Sequence, residues 1–286
     1  MIDFKNKKII IQGITGREGQ RALEFMQNYH TQVIAGVTPG KGGQDVNGIP
    51  VFNSIKEVNK KIDISSIYVP AFAAMAAIQE AVKNKIKFIH CLTEGIPYQD
   101  LSKIIQLCQQ NKVQLLGPGS LGHLIVNQGR LGMLGGDNPD KIYFPGSISI
   151  ISRSGGMINE IAHYLAKNKI GLRQVIHLGS EIISGSSLAQ YLKLLYTDRK
   201  TKKIIIFDEL THNGLDELLN IKPQKPIILN LVGSSQSIMP SGVPFGHVDS
   251  LLKKDNQSLN QKINQLTKQG FILANSYEME NINLTN

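Results

Sequence analysis

The feature that most narrows the fold of this chain is alternation: short β-branched runs are followed repeatedly by stretches with apolar residues at helical spacing. Runs of the first kind cover Lys8 to Gln12, Thr31 to Val37, Ser65 to Val69, Phe88 to Thr93 and Val113 to Leu116, and helical segments begin near Arg17, Ala71 and Asp100. A strand-helix-strand order suits a parallel sheet, because the crossover must carry the chain back to the edge from which the strand started. The expected fold class is α/β.

After Gly117-Pro118-Gly119 comes a stretch rich in glycine, asparagine and proline that runs to Pro145-Gly146 and reads as a connection between domains. The alternation then restarts. Strands are expected at Ser147 to Ser152, Gln174 to Leu178, Lys203 to Phe207, Pro226 to Val232 and Phe271 to Ala274. Helices are expected at Met157 to Lys167, Ser187 to Leu195, Leu215 to Leu219 and Ser258 to Lys268. Two tandem α/β domains follow, divided as 1–125 and 126–286.

Composition excludes several classes. With 286 residues, 41% of them apolar, the chain can bury two medium cores. The formal charge of +9 arises from 31 basic and 22 acidic residues spread along the chain, with no basic helix and no zinc spacing. That pattern reads as a solvated basic surface suited to an anionic ligand, and not as a nucleic-acid interface. Two cysteines, Cys91 and Cys108, form no C-x-x-C pair, so a reducing compartment is expected. The run Ile9-Ile10-Ile11 is too short for a signal-peptide core and no stretch reaches membrane-spanning length, which points to the cytoplasm.

Polar loops gather at the carboxyl ends of the strands. Gly13-Ile14-Thr15-Gly16-Arg17-Glu18-Gly19 follows the first strand and opens the first helix; its G-x-x-G-x-x-G spacing differs from the dinucleotide G-x-G-x-x-G, and it serves either as a phosphate cradle or as a tight turn. Thr38-Pro39-Gly40-Lys41-Gly42-Gly43 follows the second strand. A nicotinamide enzyme commonly has an acidic ribose reader there, and Lys41 suits a phosphate instead, although a plain surface loop has the same composition. Tyr68-Val69-Pro70-Ala71 and Leu92-Thr93-Glu94-Gly95-Ile96-Pro97 end on the same edge.

In the second half Ser152-Arg153-Ser154-Gly155-Gly156 joins a strand to a helix, so Ser154 is a helix cap, an anion site, or both. Asp208-Glu209 ends a later strand, and a carboxylate there can orient an imidazole. That imidazole is His247, in the loop Pro240-Ser241-Gly242-Val243-Pro244-Phe245-Gly246-His247, where it can act as a nucleophile.

Taken in order, Gly13-Ile14-Thr15-Gly16, Gly36-Val37-Thr38-Pro39-Gly40-Lys41-Gly42-Gly43, Tyr68-Val69-Pro70, Thr93-Glu94-Gly95-Ile96-Pro97, Gly117-Pro118, Ser152-Arg153-Ser154-Gly155 and Gly246-His247 resemble the α subunit of succinyl-CoA ligase over nearly the whole chain. The resemblance implies an amino-terminal Rossmann-like CoA-binding domain and a carboxyl-terminal flavodoxin-like ligase domain. It implies coenzyme contacts at Thr15, Gly16, Arg17, Glu18, Lys41, Tyr68, Pro70, Leu92, Thr93 and Glu94. It implies a phosphohistidine at His247, oriented by Glu209 and held by Ser154, Gly155 and Gly156, with no metal bound by this chain. The acid would lie near Asn159. Nucleotide and Mg would come through an ATP-grasp β subunit as partner.

Departures from the family pattern point to the acid. Asn159 stands where the family has tyrosine, and Phe245-Gly246-His247 is similar to ATP-citrate lyase and citryl-CoA synthetase, with Val248-Asp249-Ser250 following. Three readings result: an NTP-dependent acid–CoA ligase subunit for succinate or a citrate- or malate-like acid, a CoA-binding paralogue without turnover, and a nicotinamide oxidoreductase, which the glycine spacing disfavours.

Overall fold

The computed structural model describes residues 4, 6–181, 183–209, 214–232, 244–245, 247–251 and 259–275; for 209, 214, 244–245, 247–251, 259 and 275 it describes the backbone. Two compact units result, one built from residues 2–144 with 176–186, the other from 145–175 with 187–286. Both are α/β.

The amino-terminal unit contains β1 (Ile9–Gln12), α1 (Arg17–Asn28), β2 (Val33–Val37), β3 (Asp45–Val46), β4 (Ile49–Phe52), β5 (Ile64–Ile67), α2 (Ala71–Lys83), β6 (Phe88–Cys91), α3 (Tyr98–Gln110), β7 (Gln114–Leu116), β8 (Gly122–Ile125) and β9 (Gly129–Gly132). Its sheet has the order β3-β4-β2-β1-β5-β6-β7. All the pairings are parallel except β3 with β4. The inner strands are apolar on both faces because helices cover both: β1 buries all four residues, and α1 turns Ala22, Leu23, Phe25 and Met26 inward at helical spacing. Ile10, Ala35, Ile67 and Ile89, from four neighbouring strands, share one core with Ala74 and Ile78 of α2.

The glycine-rich stretch expected to be an irregular connection contains an antiparallel hairpin, β8 with β9. Gly122 (φ 113°) and Gly132 (φ 89°) face each other across its base, where a side chain at Gly122 would meet the Leu131 carbonyl at 1.8 Å. The glycines that suggested irregularity thus permit close strand pairing. Buried Arg130 fixes the hairpin to α1: its guanidinium donates to the carbonyls of Phe25, Leu134 and Gly136 and packs 4.9 Å from the Phe25 ring.

The carboxyl-terminal unit runs β10 (Pro145–Ser152), α4 (Gly155–Lys167), β11 (Leu172–His177), α5 (Leu188–Thr197), β12 (Lys203–Glu209), α6 (Gly214–Leu218), β13 (Ile227–Val232), β14 (Pro244–Phe245), β15 (His247–Leu251), α7 (Leu259–Lys268) and β16 (Ile272–Asn275). The last part of β11 belongs to the 176–186 segment of the first unit. The strand order is β16-β13-β12-β10-β11, and the pairs β10 with β12, β12 with β13 and β13 with β16 are parallel. At the far end of this sheet from the polar loops, the Asp198 carboxylate accepts from Arg173, Gln174 and Thr201 at 2.8–3.1 Å, which satisfies a charge that is 1% exposed.

The loop expected at His247 differs in the structure: β14 and β15 form a two-stranded antiparallel ribbon in which Phe245 and His247 are partners. The Val248-Asp249-Ser250 sequence that follows the histidine is extended.

Candidate functional site

In a doubly wound sheet, loops diverge where the strand order reverses, and ligands enter the crevice they leave. In the amino-terminal unit that point lies between β1, which leads to β2 on one side, and β5 on the other. Gly13 follows β1 with φ 81°, and a side chain there would meet the Tyr68 carbonyl at 2.6 Å. Gly19 lies so close to the turn that a side chain would meet the Gly13 carbonyl at 2.2 Å. These contacts hold the turn tight, so α1 starts at Arg17 directly behind Gly16, with its first amides directed at the crevice.

A cleft of about 610 Å³ opens there, lined by Gly16, Arg17, Glu18, Tyr68, Pro70, Leu92, Thr93 and Glu94 of the expected contacts, together with Val69, Ala71, Leu121 and Met133. The structure therefore brings together eight of the ten residues expected to meet the coenzyme. Thr15 lies beside the cleft, its hydroxyl 3.3 Å from that of Thr38, which draws the second glycine loop toward the first. Lys41 is exposed on that loop, whose shape is fixed by the Gly42 amide donating to Asn53 at 2.9 Å. The Thr93 hydroxyl donates to the Val69 carbonyl at 2.7 Å, and Glu94 accepts from Ser180 at 2.9 Å. Arg17 is paired with Glu18 at 2.9 Å at the helix start.

Tyr68 lines the cleft while its hydroxyl turns inward, 2.9 Å from Ser66, and burial raises its pKa. Ser66 in turn lies 2.7 Å from His90 Nδ1, and His90 Nε2 lies 2.8 Å from the Ser120 carbonyl. Burial lowers the His90 pKa to about 4, so the ring is neutral at physiological pH. Sequence reasoning passed over this chain of groups, and so over Leu121 and Met133. The available signal was polar Ser66 and His90 inside strand runs that parallel packing buries on both faces, since such residues must find partners.

In the carboxyl-terminal unit the order reverses between β10, which leads to β11, and β12. Ser152 of β10 pairs with Phe207 of β12, so the Ser154 turn and the Asp208-Glu209 end of β12 lie at the same edge of the sheet. Ser154 caps α4, its Oγ accepting from the Met157 amide at 3.4 Å, and its own amide donates to Ser152 Oγ at 2.8 Å. The amides of Gly155 and Gly156 remain outside the helical ladder at the positive end of its dipole. Asn159 lies one turn further along α4, four residues after Gly155. Arg153 reaches Glu217 at 3.4 Å, and Glu217 also accepts from the Ser187 hydroxyl at 2.8 Å, which ties α6 to this edge. Asp208 is buried. Glu209 and His247 have their backbones in β12 and β15, and their side chains lie outside the described residues.

Comparison with known proteins identifies a CoA-binding domain followed by a flavodoxin-like ligase domain. Residues 4–95 match the CoA binding domain, and residues 145–253 match the succinyl-CoA ligase like flavodoxin domain. The chain is 34% identical over 269 residues to the succinate–CoA ligase [ADP-forming] subunit alpha 2 of Archaeoglobus fulgidus, covering 92% of this chain and 91% of that one. It is 31% identical over 271 residues to the α subunit of Staphylococcus aureus, covering 93% and 87%. The chain belongs to the succinate–CoA ligase α-subunit family.

Solved structures share the fold. ATP citrate lyase from Methanothrix soehngenii, in complex with citrate and coenzyme A, matches with a TM-score of 0.84 at 19% identity over 96% of this chain. This chain spans 48% of that one. The dinucleotide-forming acetyl-coenzyme A synthetase 1 of Ca. Korarchaeum cryptofilum, in complex with phosphate and ADP, matches with a TM-score of 0.73 at 18% identity, covering 95% and 58%. Among the described residues no helix is long and apolar enough to cross a membrane.

Proposed function

We propose that this chain is the α-type subunit of an NTP-dependent acid–CoA ligase that works through a phosphohistidine and an acyl phosphate, with an ATP-grasp β subunit supplying nucleotide and Mg. The supporting observation is the Ser152–Phe207 register at the reversal of strand order. It brings the start of α4 to the same sheet edge as Asp208-Glu209, which suits an anion holder next to a carboxylate.

In this reading His247 takes a phosphoryl group from the nucleotide. Glu209 accepts from the second imidazole N–H, holding the tautomer and stabilising the cation that forms on attack. The Gly155 and Gly156 amides and the α4 dipole then hold the phosphoryl oxygens. An acid carboxylate attacks phosphorus and frees His247, and the CoA thiolate attacks the acyl carbon and expels phosphate. Covalent relay is needed because a carboxylate is a poor electrophile until its oxygen is phosphorylated. The coenzyme fits the amino-terminal cleft, where the first amides of α1 and the exposed Lys41 suit its phosphates.

Succinate is the acid named for the relatives of this chain. A hydroxylated acid of the citrate or malate type is the second reading, favoured by Asn159, whose amide offers both donor and acceptor to a hydroxyl. A scan of acids for CoA-dependent phosphate release separates the two.

The central test incubates the chain and a β subunit with γ-labelled ATP. Acid-labile label should appear on this chain and vanish in His247→Asn, with CoA affinity unchanged. Tight CoA binding with no label on this chain in the presence of any β partner would leave a coenzyme-binding paralogue and end the ligase reading. The compartment proposed for the reaction is the cytoplasm.

A further inference from the structure

Four buried polar groups form one hydrogen-bonded chain behind the coenzyme cleft. A backbone carbonyl only accepts, so the 2.8 Å contact from His90 Nε2 to the Ser120 carbonyl places the ring proton on Nε2. Nδ1 must then accept, and its 2.7 Å partner Ser66 donates to it. Ser66 Oγ also lies 2.9 Å from the Tyr68 hydroxyl. One acceptor at Ser120 thus sets the tautomer of His90 and the role of its Nδ1. The order runs from Tyr68 through Ser66 and His90 to residue 120.

The far end of the chain is a wall of the cleft. Ser120 precedes Leu121, which lines the cleft, and the Met133 amide donates to the Leu121 carbonyl at 2.8 Å, bringing in the second apolar lining residue. The His90 ring also fills the space above Gly132, where a side chain would come within 3.0 Å of Cε1. The same segment is held from behind by His177, whose Nδ1 accepts from the Leu121 amide at 2.8 Å while its carbonyl accepts from the Ser120 hydroxyl. His90 itself sits on β6, paired with Ser66 of β5 and Leu116 of β7, so its backbone is as rigid as the sheet.

We infer that His90 is a positioning residue for coenzyme binding: its Nε2–H pins the Ser120 carbonyl to the central sheet and so sets Leu121 and Met133 as the apolar wall of the cleft. The inference rests on the coenzyme reading of that cleft. His90 touches no ligand; it acts through residues 120–133.

Three substitutions divide the roles of the ring. Glutamine places an amide N–H near the position of Nε2 and keeps the Ser120 contact; asparagine reaches only the position of Nδ1; leucine keeps volume and loses both contacts. Two readouts are taken on the full chain: CoA affinity by calorimetry, and hydrogen exchange of the Leu121 and Met133 amides without ligand. His90→Gln should stay within about threefold of the parent in affinity and keep amide protection. His90→Asn and His90→Leu should lose affinity by about tenfold or more and expose both amides.

Unchanged exchange at Leu121 and Met133 in His90→Leu would overturn the positioning role whatever the affinity does. So would a loss in His90→Gln equal to that in His90→Leu, which is the pattern of a ring that only packs. If the parent chain binds no CoA, the coenzyme reading fails and this role with it, and calorimetry on the parent identifies that case separately.

Discussion

Ser152 and Phe207 are register partners on adjacent parallel strands, and from them the chain leaves in two directions: toward the capped start of α4 and toward Asp208-Glu209. The capped start of α4 and the Asp208-Glu209 end of β12 therefore lie at the same edge of the carboxyl-terminal sheet. The chemistry proposed for His247 depends on both.

Glu209→Gln removes the charge that orients the imidazole while keeping the size of the side chain. Phosphorylation of His247 should slow by roughly tenfold to a hundredfold, because the nucleophilic imidazole loses the partner that fixes its tautomer. A time course of labelled phosphoprotein with the β subunit measures it. An unchanged rate would remove Glu209 from the mechanism.

Gly156 is exposed in the first turn of α4, and a Cβ built there meets nothing within 4 Å. Gly156→Ala should therefore fold normally and gain roughly 0.5–1 kcal/mol of stability, because alanine loses less backbone entropy in a helix. It also puts a methyl group at the proposed phosphate cradle. Denaturant midpoint rising while phosphohistidine yield falls is the expected pair; a full yield would place the phosphate elsewhere.

Lys41 is exposed on the loop after β2. Lys41→Glu should leave the melting temperature within a degree or so and weaken CoA several-fold, since exposed charges add little to stability but act on a polyanionic ligand. The loss should shrink as salt rises from roughly 50 mM to 500 mM, because screening shortens the reach of the charge. Titrations at both ionic strengths check this.

His90 titrates at about 4 in the folded chain: burial disfavours the charged ring, the Ser120 carbonyl opposes that in part, and nearby His177 adds to it. The unfolded value is near 6.5, so below it the unfolded state binds a proton that the folded state refuses. The stability His90 contributes is present above pH about 6.5 and is lost as pH falls toward 4, at a cost of about 3 kcal/mol over that range. Unfolding free energies of the parent and His90→Gln, compared from pH 7.5 to 4.5, should converge as the solution becomes acid. Parallel curves would mean that the ring is not buried neutral.

Much of this architecture was readable from pattern. Strand runs such as Ile9-Ile10-Ile11 are apolar on both faces because both are covered, and α1 shows its buried face as Ala22, Leu23, Phe25 and Met26. What escaped were short or glycine-rich elements. The β3–β4 ribbon has strands of two and four residues around Asn47-Gly48, too brief for a period to register. The β8–β9 hairpin looks like a loop because its glycines serve close strand contact instead of flexibility. For the site, glycine turns and strand-end polar residues marked eight of the cleft residues, while Leu121 and Met133 carried no mark: apolar residues in a polar-looking stretch become a wall only when another segment holds them.

The sequence by itself determined two α/β units and the loops at the ends of their strands, because each strand and helix carries in its own pattern the faces it buries. The tertiary structure alone decided which strands became neighbours. That choice placed the crevices between β1 and β5 and between β10 and β12, and it brought His90 to the carbonyl of Ser120, thirty residues away. A local pattern records that a face will be covered; the identity of what covers it depends on packing between distant segments, and both sites are made from such pairings.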